Sequence, residues 1–374
     1  MNRTEKKSFW ARPAVQSITA SLLCILLGLL IGFVVLLFIN AKGSWNAIVT
    51  ILKNYMTYPT LPAAKKYLGN TLVKTAPLLM CALSIQFCYK AGLFNIGTAG
   101  QYTVGAGVCL YAALAWKMPW IVCLVLACAA GALWAAIVGF LKAYRNVNEV
   151  ISGIMLNWIG LYLVNMALNN VKEGTSPYTL TLSSTNPSAI LPNLGLGAFF
   201  SNNKYVTIAI PLAVIIAIVL WVVLNKTIFG YEIKATGLNK EAARYSGMQE
   251  KKNIILTLVI GGMLAGAGAA FLYLTGFEQW SVTQSSVPAM GFNGIAATFL
   301  GGLDPIGTIF SSYFIQHITS GGSYLDKMIY PSQIADLITA IIIYLCGFVL
   351  FFKLFLNNRI RAKADKRAQK GGEA

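Results

Sequence analysis

The side chains that could perform acid–base, nucleophilic or metal chemistry are few in this sequence, and none of them forms a recognisable set. The single histidine, His317, lies in an apolar stretch without a second histidine or cysteine spaced to share a metal ion. The seven cysteines also lie in apolar stretches and form no Cys-x-x-Cys pair, which is typical of small buried side chains. No Gly-x-x-x-x-Gly-Lys-Ser/Thr phosphate loop occurs. We therefore expect no enzymatic activity, no metal site and no cofactor in this chain.

The carboxylates indicate that the chain is not driven by protons. Carriers coupled to protons or ions usually bury aspartate or glutamate in the middle of a membrane span as a relay. Here the acidic residues fall in loops or at the ends of apolar stretches. Energy for uphill transport would then have to come from another protein, whereas a passive facilitator would need no relay.

Amides are the polar side chains that the apolar stretches do contain. A buried amide costs free energy unless it is hydrogen-bonded or faces water. Asn157 and Asn165 share a helical face, so they either bond to neighbouring helices or line a polar path. Trp158 would flank the same cavity and offer a ring face to a planar group. Our predicted path residues are Asn95, Gln101, Asn157, Trp158, Asn165 and Asn293.

Helices that cross a membrane must position these residues. Hydrophobic residues make up 57% of the 374 residues and charged residues 11%, which is too apolar for a soluble domain of this size. Stretches close to the ~20 residues needed to cross a bilayer recur along the chain. We predict an all-α polytopic membrane protein of about ten spans, the eighth and ninth short or broken: 18–39, 68–90, 101–116, 120–141, 150–168, 205–224, 254–275, 287–303, 306–319 and 334–355.

The positive charges orient these spans. Most of the 29 lysine and arginine residues fall on the side that holds both termini, which the positive-inside rule places in the cytoplasm of a cell-membrane protein. The net charge of +17 therefore needs no nucleic acid as a partner. We divide the chain into a cytoplasmic N-terminus (1–17), a transmembrane domain in membrane lipid (18–356) and a basic cytoplasmic tail (357–374). An outer loop covers about 169–204, and it either meets an extracellular partner or only connects two spans.

A cytoplasmic loop, about 226–252, contains a short polar helix. Asn239 can accept hydrogen bonds from the first free N–H groups, and Gly247 can end the helix in the left-handed conformation. The residues between them predict a rod about 10 Å long. Its small face would fit a groove of another protein, or the segment is an ordinary capped loop helix. The candidate coupling residues are Asn239, Glu241, Ala242, Ala243, Tyr245 and Gly247.

Glycines at 92, 97, 100, 105 and 107 predict an interruption of a membrane helix, and carriers commonly build their path from broken helices. The sequence Gly-Leu-Phe-Asn-Ile-Gly at 92–97 is echoed by Gly-Phe-Asn-Gly-Ile at 291–295. The echo indicates either an inverted repeat, in which Asn95 and Asn293 occupy matching positions, or chance similarity.

Four blocks of the sequence resemble ABC importer permeases of the nucleoside and simple-sugar subgroup, which are related to the ribose and branched-chain amino acid permeases. The blocks follow the family order: GLFNIGTAGQ from 92, NEVIS and MLNW between 148 and 158, GLN and EAARYSG between 237 and 247, and GFNGIA with LGGLDPIG between 291 and 307. The first departs at Ala99, where the family usually has glutamate.

The resemblance implies a transmembrane permease subunit that forms the translocation path for nucleosides or simple sugars. It also implies partners: two cytoplasmic ATPase subunits that bind ATP and Mg²⁺ and receive the polar helix, a second and different permease subunit, and an extracellular substrate-binding lipoprotein or periplasmic protein. The alternative is an ATPase-independent secondary carrier or facilitator for a small polar solute.

Overall fold

A computed structural model describes residues 13–326, 328–330 and 337–358, with gaps at 339, 342, 343, 346, 350 and 356. These residues contain two isolated β-bridges but no strand. The α-helices are, in chain order, α1 (Pro13–Ile39), α2 (Ser44–Lys53), α3 (Leu61–Lys90), α4 (Thr98–Leu114), α5 (Trp120–Arg145), α6 (Glu149–Leu168), α7 (Leu182–Thr185), α8 (Leu196–Phe199), α9 (Ala209–Lys226), α10 (Ile228–Leu238), α11 (Lys240–Tyr245), α12 (Glu250–Tyr273), α13 (Ala289–Leu300) and α14 (Pro305–Gly322).

The all-α polytopic class is confirmed. Six helices of the described residues are long and apolar enough to cross a membrane, in α1, α3, α5, α6, α9 and α12. The predicted third, eighth and ninth spans correspond to α4, α13 and α14. As predicted for the eighth, α13 is short: its 12 residues reach about 18 Å, less than the ~30 Å hydrocarbon core. Eight residues of the predicted span 334–355 and most of the tail 357–374 lie outside the described residues.

The chain divides into two compact units. One contains α1, α2, residues 299–303 and the chain from Ile318 onward, and the other contains Tyr55–Thr298 and Asp304–His317. The second unit holds α3 to α12 and every predicted path and coupling residue.

Helix α12 is the centre of this larger unit, because α3, α4 and α5 all pack on it. Glycines permit the close approach: Gly131 of α5 and Gly262 of α12 meet so tightly that a Cβ on either would collide with the other's carbonyl oxygen. Small residues have this function in membranes, where helix association depends on close packing rather than on the hydrophobic effect. Helix α4 lies against α5, α6 and α12, which places the α3–α4 connection beside α6.

The prediction from the sequence does not include α2, α10 or the two four-residue helices α7 and α8 of the outer loop. Helix α2 is amphipathic, with Ala47, Ile48 and Ile51 buried and Trp45 exposed. Helix α10 lies within the predicted cytoplasmic loop 226–252. The predicted helix of seven residues between Asn239 and Gly247 has six residues in the structure, which form α11.

Candidate translocation and coupling site

The helix break lies between α3 and α4. The predicted interruption is wrong for Gly100, Gly105 and Gly107, which lie inside the continuous helix α4. Gly92 ends α3 with φ +72°, a conformation that glycine adopts without strain. The N–H of Gly92 donates to the carbonyl of Tyr89 (3.0 Å), and the N–H of Leu93 donates to the carbonyl of Cys88 (3.1 Å). Helix α4 begins at Thr98, whose hydroxyl donates to the carbonyl of Asn95 (2.8 Å). The chain is therefore non-helical at residues 91–97 but remains hydrogen-bonded.

The amides of Asn95 and Gln101 pair across this break. Nδ2 of Asn95 donates to Oε1 of Gln101, and Nε2 of Gln101 donates to Oδ1 of Asn95, both at 3.0 Å. Asn95 also donates to the hydroxyl of Ser84 on α3 (3.3 Å). All three side chains are buried. In this conformation the two amides satisfy each other and do not line an open path.

Asn157 of α6 bonds to the main chain inside the break and in the first turn of α4. Its Nδ2 donates to the carbonyl of Ile96 (3.1 Å), and its Oδ1 accepts from the N–H of Gly100 (2.7 Å). A Cβ on Gly100 would lie 2.6 Å from that oxygen, so this approach requires glycine. Asn157 is 2% exposed, and it here makes the interhelical bonds that were the alternative to lining a path.

Trp158, the next residue along α6, is exposed whereas Asn157 is buried. It is 42% exposed and stacks with Tyr162, with ring centroids 6.3 Å apart and planes inclined by 28°. Met155 and Met166 are exposed at the same helical spacing. We call these four residues the α6 stripe; it combines aromatic faces with flexible thioethers, a surface suited to a planar ligand.

Asn165 lies near the end of α6 and bonds twice to the connection between α12 and α13. Its Oδ1 accepts from the indole Nε1 of Trp280 (2.9 Å), and its Nδ2 donates to the carbonyl of Gln284 (2.9 Å). A cavity of about 360 Å³ opens beside it, with Lys172 and Ser176 in its wall. Asn165 is thus separate from the Asn157 site, although both are on one helix.

Asn293 is half-buried on α13, and no hydrogen bond joins its side chain to Asn95 or Gln101. Helix α13 instead approaches the break through glycine: a Cβ on Gly291 would lie 2.7 Å from the Cβ of Ala99. This contact gives a physical reason for alanine at residue 99, because a glutamate side chain would have no room there. The inverted repeat stays a prediction.

The polar helix α11 has the predicted caps. Oδ1 of Asn239 accepts from the N–H of Ala242 (3.0 Å), and Gly247 has φ +82°. Tyr245 is 93% exposed, and Glu241 and Ala242 are exposed as well. Ala243 is a correction to the predicted face: it is 3% exposed and packs inward, since successive helical residues differ by ~100°. Of the candidate coupling residues on α11, Glu241, Ala242 and Tyr245 are exposed, as are Lys240 and Arg244 of the same helix.

Carriers commonly build their path from membrane helices that are interrupted at glycine, so the polytopic all-α fold and the break between α3 and α4 are typical of a membrane permease. Residues 67–347 match the family described as "Branched-chain amino acid transport system / permease component", and the chain belongs to this family.

The chain is also similar to individual permeases. The nucleoside ABC transporter permease protein NupB of Lactococcus lactis is 30% identical over 369 residues, which cover 96% of this chain and 98% of that protein. The guanosine ABC transporter permease protein NupP of Bacillus subtilis is 32% identical over 282 residues (74% and 80%). The glucose ABC transporter permease protein TsgB13 of Haloferax volcanii is 28% identical over 309 residues (80% and 80%).

Both Lactococcus lactis and Bacillus subtilis have a second permease, named for the same solute, that is similar to this chain. No solved structure matches.

Proposed function

We propose that this chain forms half of the membrane path of an ATP-driven importer of nucleosides. The observation that carries the proposal is the similarity to NupB, a nucleoside permease, over almost the full length of both proteins. The glucose permease is less similar and covers less of this chain, which favours nucleosides over simple sugars.

The α6 stripe supports this solute class. A nucleobase is a planar ring system, and Trp158 and Tyr162 present neighbouring ring faces at an exposed surface of the unit. A second permease subunit placed against this surface would enclose the stripe and complete the path. That partner is a different permease in our proposal, because two of the organisms above each have two similar permeases.

The remaining partners follow from α11 and the topology. Two cytoplasmic ATPase subunits bind ATP and Mg²⁺ and receive the exposed face of α11. Both termini of this chain are cytoplasmic, as its lysine and arginine distribution indicates. An extracellular substrate-binding lipoprotein or periplasmic protein delivers the solute to the outer loop.

Uptake by cells that lack other nucleoside transport tests the proposal. The chain is expressed with its ATPase, second permease and binding protein, and uptake of radiolabelled guanosine, uridine and ribose is compared. We expect uptake of nucleosides that excess ribose does not inhibit. Replacing the phosphate-loop lysine of the ATPase should abolish it. Unchanged uptake with that ATPase variant would indicate the facilitator alternative, and uptake of ribose alone would contradict the nucleoside assignment.

A further inference from the structure

The end of α10 rests directly on the helix break. A Cβ on Gly92 would lie 3.0 Å from the carbonyl oxygen of Gly237, and a Cβ on Gly237 would lie 2.7 Å from the carbonyl carbon of Ala91 and 2.8 Å from the nitrogen of Gly92. Main chain therefore contacts main chain here, without an intervening side chain that could change rotamer. Such a contact transmits displacement because packed interiors are not easily deformed.

Helix α10 is also fixed on its other side. Nδ2 of Asn253, at the start of α12, donates to the hydroxyl of Thr236 (3.3 Å) and to Oε2 of Glu232 (3.5 Å). Ile233 of α10 is fully buried. Only Asn239 separates α10 from α11, and it caps α11. A displacement of α11 would therefore also displace α10.

On its far side the break is held by α6. Asn157 bonds to Ile96 and Gly100, and a Cβ on Gly153 would lie 3.0 Å from the nitrogen of Gly97. The contacts form a continuous series within one compact unit: α11, α10, the break and α6. The last helix carries the α6 stripe on its exposed side.

We propose that the contact between Gly237 and Gly92 is the joint that carries ATPase movement from α11 to α6. This inference rests on the proposed function, in which the ATPases dock on α11 and the solute passes the α6 stripe. Gly237 and Asn253 are then positioning residues: neither touches solute or nucleotide, and both set the place of α10 relative to the break.

The first test measures solute transported per ATP hydrolysed. The complex, purified through a tag on this chain and reconstituted in liposomes, carries Gly237→Ala, which needs no change of φ but inserts a methyl group into the joint. We expect the ATPases to remain bound and to hydrolyse ATP, while transport per ATP falls about five- to a hundredfold, the usual range of coupling between sites. An unchanged ratio would overturn the inference.

Gly69→Ala is the matched control. It inserts a methyl group 2.8 Å from Nδ2 of Asn203 at the other end of α3, far from the joint. It should alter stability without altering transport per ATP. Failure of the ATPases to co-purify with the unaltered chain would contradict the proposed function instead, so the two failures are distinguishable.

Asn253→Ala provides a second variant without steric insertion. It frees α10 from α12, and it should lower transport per ATP in the same direction as Gly237→Ala. Asn203→Ala is its control, because Asn203 is an equally buried amide that bonds to Lys66 and Asn70 instead. Equal values of transport per ATP in Asn253→Ala and Asn203→Ala would overturn the inference.

Hydrogen–deuterium exchange tests the same series in the unaltered complex. A non-hydrolysable ATP analogue should change the exchange of amides 92–98 as well as 237–247. In Asn253→Ala, or in Gly237→Ala if it assembles, the change should be confined to 237–247. An unaltered complex in which residues 92–98 do not respond to nucleotide would refute the proposal even if a variant fails to fold.

Discussion

Asn95 and Gln101 hydrogen-bond each other at both ends of their amides, in a site that water does not reach. Removing one amide leaves the other without these hydrogen bonds, whereas removing both leaves fewer buried polar atoms unsatisfied. We expect Gln101→Met and Asn95→Leu each to destabilise the protein. The double variant should be about 1–2 kcal/mol more stable than the sum of the two losses predicts.

Unfolding of the detergent-solubilised protein measures this coupling. The pair Gln101→Met with Asn203→Ala is the control, because these two side chains have no shared partner in the described contacts and their effects should add. Additive losses for Asn95 and Gln101 would contradict the reciprocal pair.

Replacing Asn157 by leucine removes two bonds to the main chain at once. The N–H of Gly100 and the carbonyl of Ile96 lose this partner, at about 1–3 kcal/mol for each buried group. We expect a lower unfolding temperature, faster amide exchange near residue 100 and reduced transport. Trp158→Leu, one residue along the same helix, should leave exchange at the break unchanged. Similar exchange in both variants would mean that Asn157 does not hold the break.

Ala242 and Ala243 should respond differently to arginine. Ala242→Arg adds a long charged side chain to the exposed face of α11, so ATPase co-purification should be lost while the permease keeps its unfolding temperature. Ala243→Arg forces the same side chain into a buried site and should destabilise the fold. Co-purification with the ATPase measures docking in both variants, and thermal unfolding measures the stability of the fold. Normal ATPase binding by Ala242→Arg would exclude this face as the docking surface.

Cysteine labelling distinguishes the two sides of α6. In the assembled complex, cysteines at 158 and 162 should react with a water-soluble thiol reagent, and bound nucleoside should protect them. A cysteine at 157 should stay unreactive because the site is buried. A variant lacking the natural cysteines serves as background. Reaction at 157 with none at 158 would place the path on the opposite side of α6.

Local chemistry made part of this structure predictable from sequence. The caps of α11 depend on Asn239 and Gly247 themselves, and the break depends on Gly92, so residue types alone indicated them. The partners of a buried amide are set by distant segments, which is why Asn157 could not be distinguished from a path residue. Helix α10 was missed because it is too short and polar to cross a membrane, and it is stabilised by packing on α9, α12 and the break.

The buried side and the exposed side of helix α6 have different roles. Asn157 recognises a carbonyl and an N–H, groups that the main chain supplies whatever side chain residue 96 carries. The α6 stripe makes none of these bonds, so its residues are free to change without disturbing the break. Under the proposed function, substitutions at 155, 158, 162 and 166 therefore change the range of solutes without changing the contacts that hold the break, which offers protein engineers a route to altered selectivity.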